Sequence, residues 1–198
     1  MVDKAQRWDE RYRDRTVADA APARVLSENQ HLLPSQGQAL ELACGLGGNA
    51  RLLAERGVRT CAWDLSPVAV AKLDAFGRQW GLPLTAAVRD VDAEPPAPET
   101  ADVLVVTRFL SRPLVPYLLA SLRRHGLIFY QTFIQEAPDW EVGPSNPEYR
   151  LHPNELLSLF EPLRCLVYRE EGGVGDVAQG WRSEALYVGQ KIERGGRP

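Results

Sequence analysis

Hydrophobic positions in the first two thirds of the chain are of two kinds: short unbroken runs, and stripes spaced three and four apart. The runs cover residues 38–43, 58–63, 84–89, 101–106 and 127–133, and they predict five strands. The fourth, Ala-Asp-Val-Leu-Val-Val, has the nearly continuous apolar texture of a parallel strand covered on both faces. Between the second and third runs, Ala69, Leu73, Phe76 and Trp80 predict a helix, with Ser66 as its cap and Pro67 at its first position. Leu52 and Leu53 mark a helix over 49–56 that Gly57 stops. Residues 92–100, with three prolines, form a connector, and Pro113 opens a helix expected to run to Arg124 and end at Gly126. Upstream, Trp8 and Tyr12 share one face of a densely charged N-terminal helix, and residues 23–33 predict a second helix ended by Pro34.

Strand and helix thus alternate through residue 133, which predicts an α/β fold with a parallel sheet covered on both faces. After Phe133 the pattern changes. Residues 134–151 are irregular, 153–160 form a short helix, and 163–168 and 183–188 read as strands. The glycine-bearing segment 170–180 joins these strands, so they are expected to form an antiparallel hairpin at the sheet edge. The expectation is a single domain over 1–198, with a helical segment at 1–34, a core at 35–134, and a loop, helix and hairpin at 135–191.

Composition narrows the function. Lys plus Arg number 23 against 26 Asp plus Glu, a net charge of −3, which argues against nucleic acid as a partner. No run of about 18 apolar residues exists, so no membrane span is expected. The charged N-terminus lacks the apolar centre of a signal peptide. Cys44, Cys61 and Cys165 form no C-x-x-C and no disulfide framework, and a cytoplasmic setting is expected. His31, His125 and His152 lack metal-ligand spacing, so no metal is expected. Neither G-x-S-x-G nor a Walker motif occurs.

The strongest chemical signal is Glu41-Leu-Ala-Cys-Gly45-Leu-Gly47-Gly48, a glycine-rich turn between a parallel strand and a helix. Such a turn brings a ligand close to the backbone and to helix-terminal amides. Gly45-x-Gly47-x-x-Ala50 also fits the dinucleotide pattern, and Asp64 follows Gly47 by 17 residues, near the usual ribose-binding distance. NAD and S-adenosylmethionine both carry such a ribose, and a helix cap is the bland reading of Asp64. Glu41 beside the turn suits a cationic ligand and repels a pyrophosphate. Asp90-Val91 closes the third strand, where Asp90 can accept from an exocyclic amine or serve as a loop carboxylate. Tyr187 and Lys191 have reductase spacing but lie on or beyond a strand, roughly 13 Å apart, so no hydride-transfer pair is expected.

From about Trp8 to Lys191 the sequence resembles class I S-adenosylmethionine-dependent methyltransferases, and in particular small bacterial ones of the tellurite-resistance type. Leu40-Glu-Leu-Ala-Cys-Gly-Leu-Gly-Gly-Asn49 resembles their first motif, Ala62-Trp-Asp-Leu-Ser-Pro67 the second and Arg89-Asp-Val91 the third. The resemblance implies a Rossmann-like three-layer sandwich with a seven-stranded, mostly parallel sheet, and S-adenosylmethionine as cofactor. It implies that Glu41 and the Gly45 and Gly47 backbone surround the methionine part, that Asp64 binds the ribose, and that Leu65 packs on adenine. Asp90 with Val91 takes the adenine edge, and Ala43, Asn49 and Thr107 complete the cofactor-binding set. Trp8-x-x-x-Tyr12 resembles a segment that closes over the cofactor, and equally reads as a helix docked on the core.

On the acceptor side, Thr107-Arg-Phe-Leu-Ser-Arg112 follows the fourth strand. Arg108 or Arg112 is positioned to hold an anionic acceptor or to make an ion pair. Ser111 stands where similar proteins often have a histidine, so no histidine base is assumed. The long loop after Phe133 reads as a lid in which Trp140 and Tyr149 cover an acceptor, with Tyr12 a further candidate. The expected reaction is methyl transfer to a small molecule (a thiol, a chalcogen oxyanion or another small nucleophile) by a monomer or homodimer. An NAD(P)-dependent oxidoreductase and a non-catalytic S-adenosylmethionine-binding protein remain the alternatives.

Overall fold

Seven strands make one sheet in the computed structural model, which describes residues 4–139 and 141–192. The first five are β1 (Gln38–Leu42), β2 (Arg59–Asp64), β3 (Leu84–Val88), β4 (Ala101–Thr107) and β5 (Leu122–Phe133), all parallel. β6 (Arg164–Arg169) and β7 (Glu184–Gln190) follow, and β7 runs antiparallel to both β5 and β6. The order is β3-β2-β1-β4-β5-β7-β6, so the expected hairpin is present with β7 inserted beside β5 and β6 at the edge. Strand order reverses between β1 and β4, the crevice at which ligands bind in open α/β sheets.

Alternate residues of each strand feed two cores. Leu42, Leu104, Val106, Ile128, Tyr130 and Tyr187 pack on one face with α5 (Val115–Ser121) and α6 (Glu155–Leu159). On the other face Val103, Val105, Phe129, Leu186 and Val188 pack with α2 (Arg24–Ser27) and α3 (Gly48–Glu55). α4 (Pro67–Gln79) covers β2 and β3 through Leu73 and Leu84. It begins as its sequence predicts: Ser66 Oγ accepts from Ala69 N at 3.1 Å and Pro67 occupies the first position. The N-terminal helix α1 spans Lys4–Tyr12. Among the described residues no helix is long and apolar enough to cross a membrane.

Two boundaries differ from expectation. Residues 23–33 form only the four-residue α2 and a 3₁₀ turn at Gln30–Leu32. Asn29 Nδ2 takes the Val25 carbonyl at 3.0 Å, the acceptor that a continuing helix would use for its own backbone. The helix expected over 113–124 is a 3₁₀ turn at Arg112–Leu114 followed by α5, and the chain is already extended at Leu122, which is buried and paired with Ala101. Gly126 is not a helix stop. A Cβ there would lie 2.9 Å from Arg123 O and 3.0 Å from Ala101 O, so glycine admits the close approach of β5 to β4.

Candidate cofactor and acceptor site

The turn after β1 sits at the carboxyl rim of the sheet. Gly45 and Gly47 have φ of +52° and +71°, the left-handed conformations that favour glycine. The missing side chains are also filled by the protein. A Cβ on Gly45 would meet Tyr12 Oη at 2.7 Å, one on Gly47 would overlap the Leu73 methyl groups, and one on Gly48 would lie 2.5 Å from Ala21 O. Asp64, at the end of β2, accepts from Gly45 N at 2.7 Å and from Ser66 N at 2.8 Å. It therefore ties the turn after β1 to the turn after β2, a role the cap reading only half anticipates. Arg89 N donates to Asp64 O at 2.9 Å, which brings Asp90 and Val91 to the same rim. Asp90 is exposed and accepts from Asp92 N at 3.0 Å; Val91 is buried in the core beside Leu110 and Leu114. Leu65 is half-buried one residue after Asp64.

Glu41 is buried beneath the turn. Oε1 accepts from Asn49 Nδ2 at 2.8 Å and Oε2 from Ala50 N at 2.8 Å, so the carboxyl holds the start of α3. Asn49 also donates to Thr107 Oγ1 at 3.1 Å and accepts from Ala23 N at 2.7 Å. These bonds bring Glu41, Asn49 and Thr107 together, with Ala43 half-buried at the strand end. Burial pushes the Glu41 carboxyl up to about 8; the Asn49 and Ala50 donors oppose the shift and the Asp64 charge adds to it. Burial likewise raises Asp64. Desolvation raises Tyr12 and Cys44 too, and the Asp64 charge adds to both. Among the described residues no lysine or arginine pairs with Glu41 or Asp64. The floor of the turn is thus two buried acids with no cation of the protein's own.

Over this floor lies α1. Trp8 and Tyr12 stack with ring centroids 5.9 Å apart, and Asp9 accepts from Ser66 Oγ and from Val68 N at the start of α4. α1 is both a docked helix and a cover for Gly45, so the two readings of its aromatic pair describe one arrangement.

The two acceptor-side arginines diverge. Arg108 has φ of +55°, a strained conformation for a side chain of this size, fixed where Arg108 N donates to Gln131 O at 2.8 Å. Its Nε donates to buried Glu184 at 3.0 Å, Gln131 donates to the other Glu184 oxygen, and the Arg108 side chain stays 66% exposed at the rim. Arg112 instead grips Glu155 with Nε and Nη2 at 2.6 and 2.9 Å, and donates to Glu148 O at 2.6 Å and Arg150 O at 3.0 Å. Its guanidinium clamps the loop to α6.

The loop after Phe133 is organised from within by Arg150, which is buried and donates to the carbonyls of Pro144 at 2.9 Å, Ile134 at 3.1 Å and Val142 at 2.8 Å. Tyr149 is half exposed, and Trp140 lies outside the described residues. Gln131, Glu184, Arg150 and Lys72 carry this architecture and were not singled out by the sequence. Gln131, Glu184 and Lys72 act on groups 53 or more residues away, and Arg150 on carbonyls 6 to 16 residues back in an irregular loop, so no periodic spacing announces any of them.

Residues 39–125 match the methyltransferase domain family. Hemagglutinin 1 of Eikenella corrodens is 30% identical over 142 residues, covering 69% of this chain and 47% of that protein, so the chain spans about half of this curated relative. The crystal structure of TehB from Haemophilus influenzae superposes with a TM-score of 0.70 at 19% identity, covering 95% of this chain and 67% of that one. A structure described for the conversion of a disulfide bond into a thioacetal group during echinomycin biosynthesis superposes with a TM-score of 0.71 at 18% identity, covering 96% and 93%. The fold is that of class I methyltransferases, with the seven-stranded, mostly parallel sheet expected, and the resemblance to the tellurite-resistance type is borne out.

Proposed function

We propose that this chain, which carries a methyltransferase domain over residues 39–125, transfers the methyl group of S-adenosylmethionine to a small-molecule acceptor. The observation that carries the reading is the pair of buried acids, Glu41 and Asp64, under a glycine turn with no basic partner. A ligand with an ammonium and a sulfonium relieves that potential; a pyrophosphate worsens it. The donor set therefore fits S-adenosylmethionine and disfavours NAD.

Bound there, S-adenosylmethionine supplies a methyl group already activated by its sulfonium sulfur. Glu41 and the Gly45–Gly47 backbone would hold the amino-acid end, Asp64 the ribose hydroxyls, Leu65 and Val91 the adenine ring and Asp90 its exocyclic amine. Ala43, Asn49 and Thr107 line the same rim. Asp64 can serve because each of its oxygens has a second lone pair beyond the bonds to Gly45 and Ser66. The protein needs no nucleophile: its part is alignment at near-attack distance and exclusion of water. Arg108, oriented by Glu184, is the candidate anchor for an acceptor with negative charge. Arg112, Tyr12 and Trp140 are the remaining acceptor-side candidates. Thiols and chalcogen oxyanions are the acceptors to test first. The fold relative described for turning a disulfide into a thioacetal works on sulfur, which supports a soft acceptor.

Thermal shift with S-adenosylhomocysteine and with NAD tests the cofactor. At a hundred times its dissociation constant the bound ligand adds roughly 2.7 kcal/mol. Stabilisation by NAD and none by S-adenosylhomocysteine refutes the reading. Release of S-adenosylhomocysteine over a panel of thiols, phenols and selenite then identifies the acceptor, and Arg108→Ala should raise KM for an anionic one.

A further inference from the structure

Residues 4–25 wrap the rim as a strap, and two side chains tie it to α4. Lys72 Nζ donates to three carbonyls at the end of α1: Tyr12 at 2.8 Å, Arg13 at 2.6 Å and Arg15 at 2.7 Å. A helix terminus leaves such carbonyls without intrahelical partners, and the ammonium also meets the negative end of the helix dipole. In return, Asp9 of α1 caps the amino end of α4 at Ser66 and Val68. The two helices thus exchange end caps.

Between these ties Tyr12 is pressed on Gly45 and backed by Trp8. Beyond them Arg51 holds Val17 O at 3.2 Å, the Ala20 and Ala21 carbonyls lie against Gly48, and Asn49 takes Ala23 N. These contacts of residues 12–23 fall on Gly45 to Arg51, whereas Asp9 meets α4 at Ser66 and Val68, next to Leu65.

We propose that Lys72 is the positioning residue of a cofactor clamp: it holds Tyr12 and the strap over the glycine turn, and its bonds to the three carbonyls break each time the cofactor exchanges. The inference rests on the S-adenosylmethionine reading above. Because the carbonyls that Lys72 holds belong to the turn that seats Tyr12 on Gly45, the clamp acts on the amino-acid end of the ligand more than on its adenosine, which lies nearer the separate Asp9–Ser66 tie. One ammonium gathers three charge-assisted hydrogen bonds from a single turn, so its loss takes the same donor from all three carbonyls at once.

Stopped-flow fluorescence, read on Trp8 and Trp63, follows binding of S-adenosylhomocysteine and of 5′-methylthioadenosine, which lacks the amino acid. K72M keeps the side-chain stem and loses the donors. It should speed dissociation of S-adenosylhomocysteine by at least about tenfold and of methylthioadenosine by less than about twofold, and K72R should restore most of the difference. R182M is the control. It removes a comparable set of bonds to the Gly172, Val174 and Asp176 carbonyls, on a loop away from the turn, and should leave both rates unchanged.

Unchanged S-adenosylhomocysteine dissociation in K72M, equal acceleration of both ligands, or the same effect in R182M overturns the clamp. A wild-type chain that binds no S-adenosylhomocysteine overturns the cofactor reading itself, a distinct outcome. Should K72M fail to fold, hydrogen exchange on the wild type decides: residues 16–25 exchange more slowly with S-adenosylhomocysteine than with methylthioadenosine, and equal protection refutes the clamp.

Discussion

Replacing Glu41 by Gln removes a buried charge while keeping its shape, and the consequence depends on pH. Burial lifts the Glu41 carboxyl from 4.5 to about 8. A carboxyl raised in the folded state binds its proton more tightly there than in the unfolded chain. Between pH 4.5 and about 8 the folded chain keeps a proton that the unfolded chain has released, so stability is greatest below that window and falls as pH rises through it. At roughly 1.4 kcal/mol per pH unit, the loss across the window is at most roughly 5 kcal/mol. E41Q does not titrate. Its amide turns one N–H toward a donor, Asn49 Nδ2 or Ala50 N, at a cost of about 1–3 kcal/mol. A protonated Glu41 meets the same conflict, so near pH 5 the two proteins should have similar stability. By pH 9 the variant should be the more stable by several kcal/mol. Asp64, also raised by burial, titrates in both proteins, so only its coupling to the Glu41 charge enters the difference. Urea unfolding at pH 5 to 9 and constant ionic strength measures that difference. Parallel curves across the range refute the argument, because they mean that Glu41 is ionised in the folded chain as it is in the unfolded one. The same proton reports the ligand: a cation bound beside Glu41 expels it, so the binding enthalpy of S-adenosylhomocysteine at pH 7 should vary with the ionisation heat of the buffer in the wild type and lose Glu41's share of that dependence in E41Q.

Asp64→Ala should weaken S-adenosylhomocysteine at least about tenfold by calorimetry and also lower stability by about 2 kcal/mol, since both the Gly45 and Ser66 amides lose their acceptor. Unchanged affinity with lowered stability would make Asp64 a tie between turns only. Arg112→Ala should cost about 2–3 kcal/mol in urea unfolding through loss of the Glu155 grip and two carbonyl bonds; a change under about 0.5 kcal/mol would mean that the clamp holds nothing. Arg150→Met leaves the Pro144, Ile134 and Val142 carbonyls short of a donor, and should cost at least about 3 kcal/mol and expose the loop to limited proteolysis before the core unfolds.

The residues that periodicity governs were legible, and those that act across the chain were not. The five parallel strands and α4 follow from apolar spacing and from Ser66-Pro67, because each is dictated by neighbours within a few positions. Local signals misled where a distant partner outbid them. His125-Gly126 looks like a helix end, but Leu122 pairs with Ala101 and draws the chain into β5 first. The glycine turn shows both cases at once. Its place and its positive φ values were readable, while the reason each glycine lacks a side chain lies in Tyr12, Leu73 and Ala21.

Arg108 and Arg112 put the distinction most sharply. Four residues apart on one loop, they carried equal weight as anchors for an acceptor. The fold separates them by what it brings up from elsewhere. Glu155, 43 residues on, takes the Nε and one terminal nitrogen of Arg112, and backbone carbonyls take two more of its five N–H donors. Glu184, 76 residues on, takes only Nε of Arg108 and leaves the remainder of its guanidinium at the rim. A side chain with four of its five donors taken by the protein is part of the frame. One that is held by a single nitrogen in a strained backbone is aimed and still has donors to offer, and that difference, made wholly by long-range contacts, selects Arg108 as the arginine to substitute first.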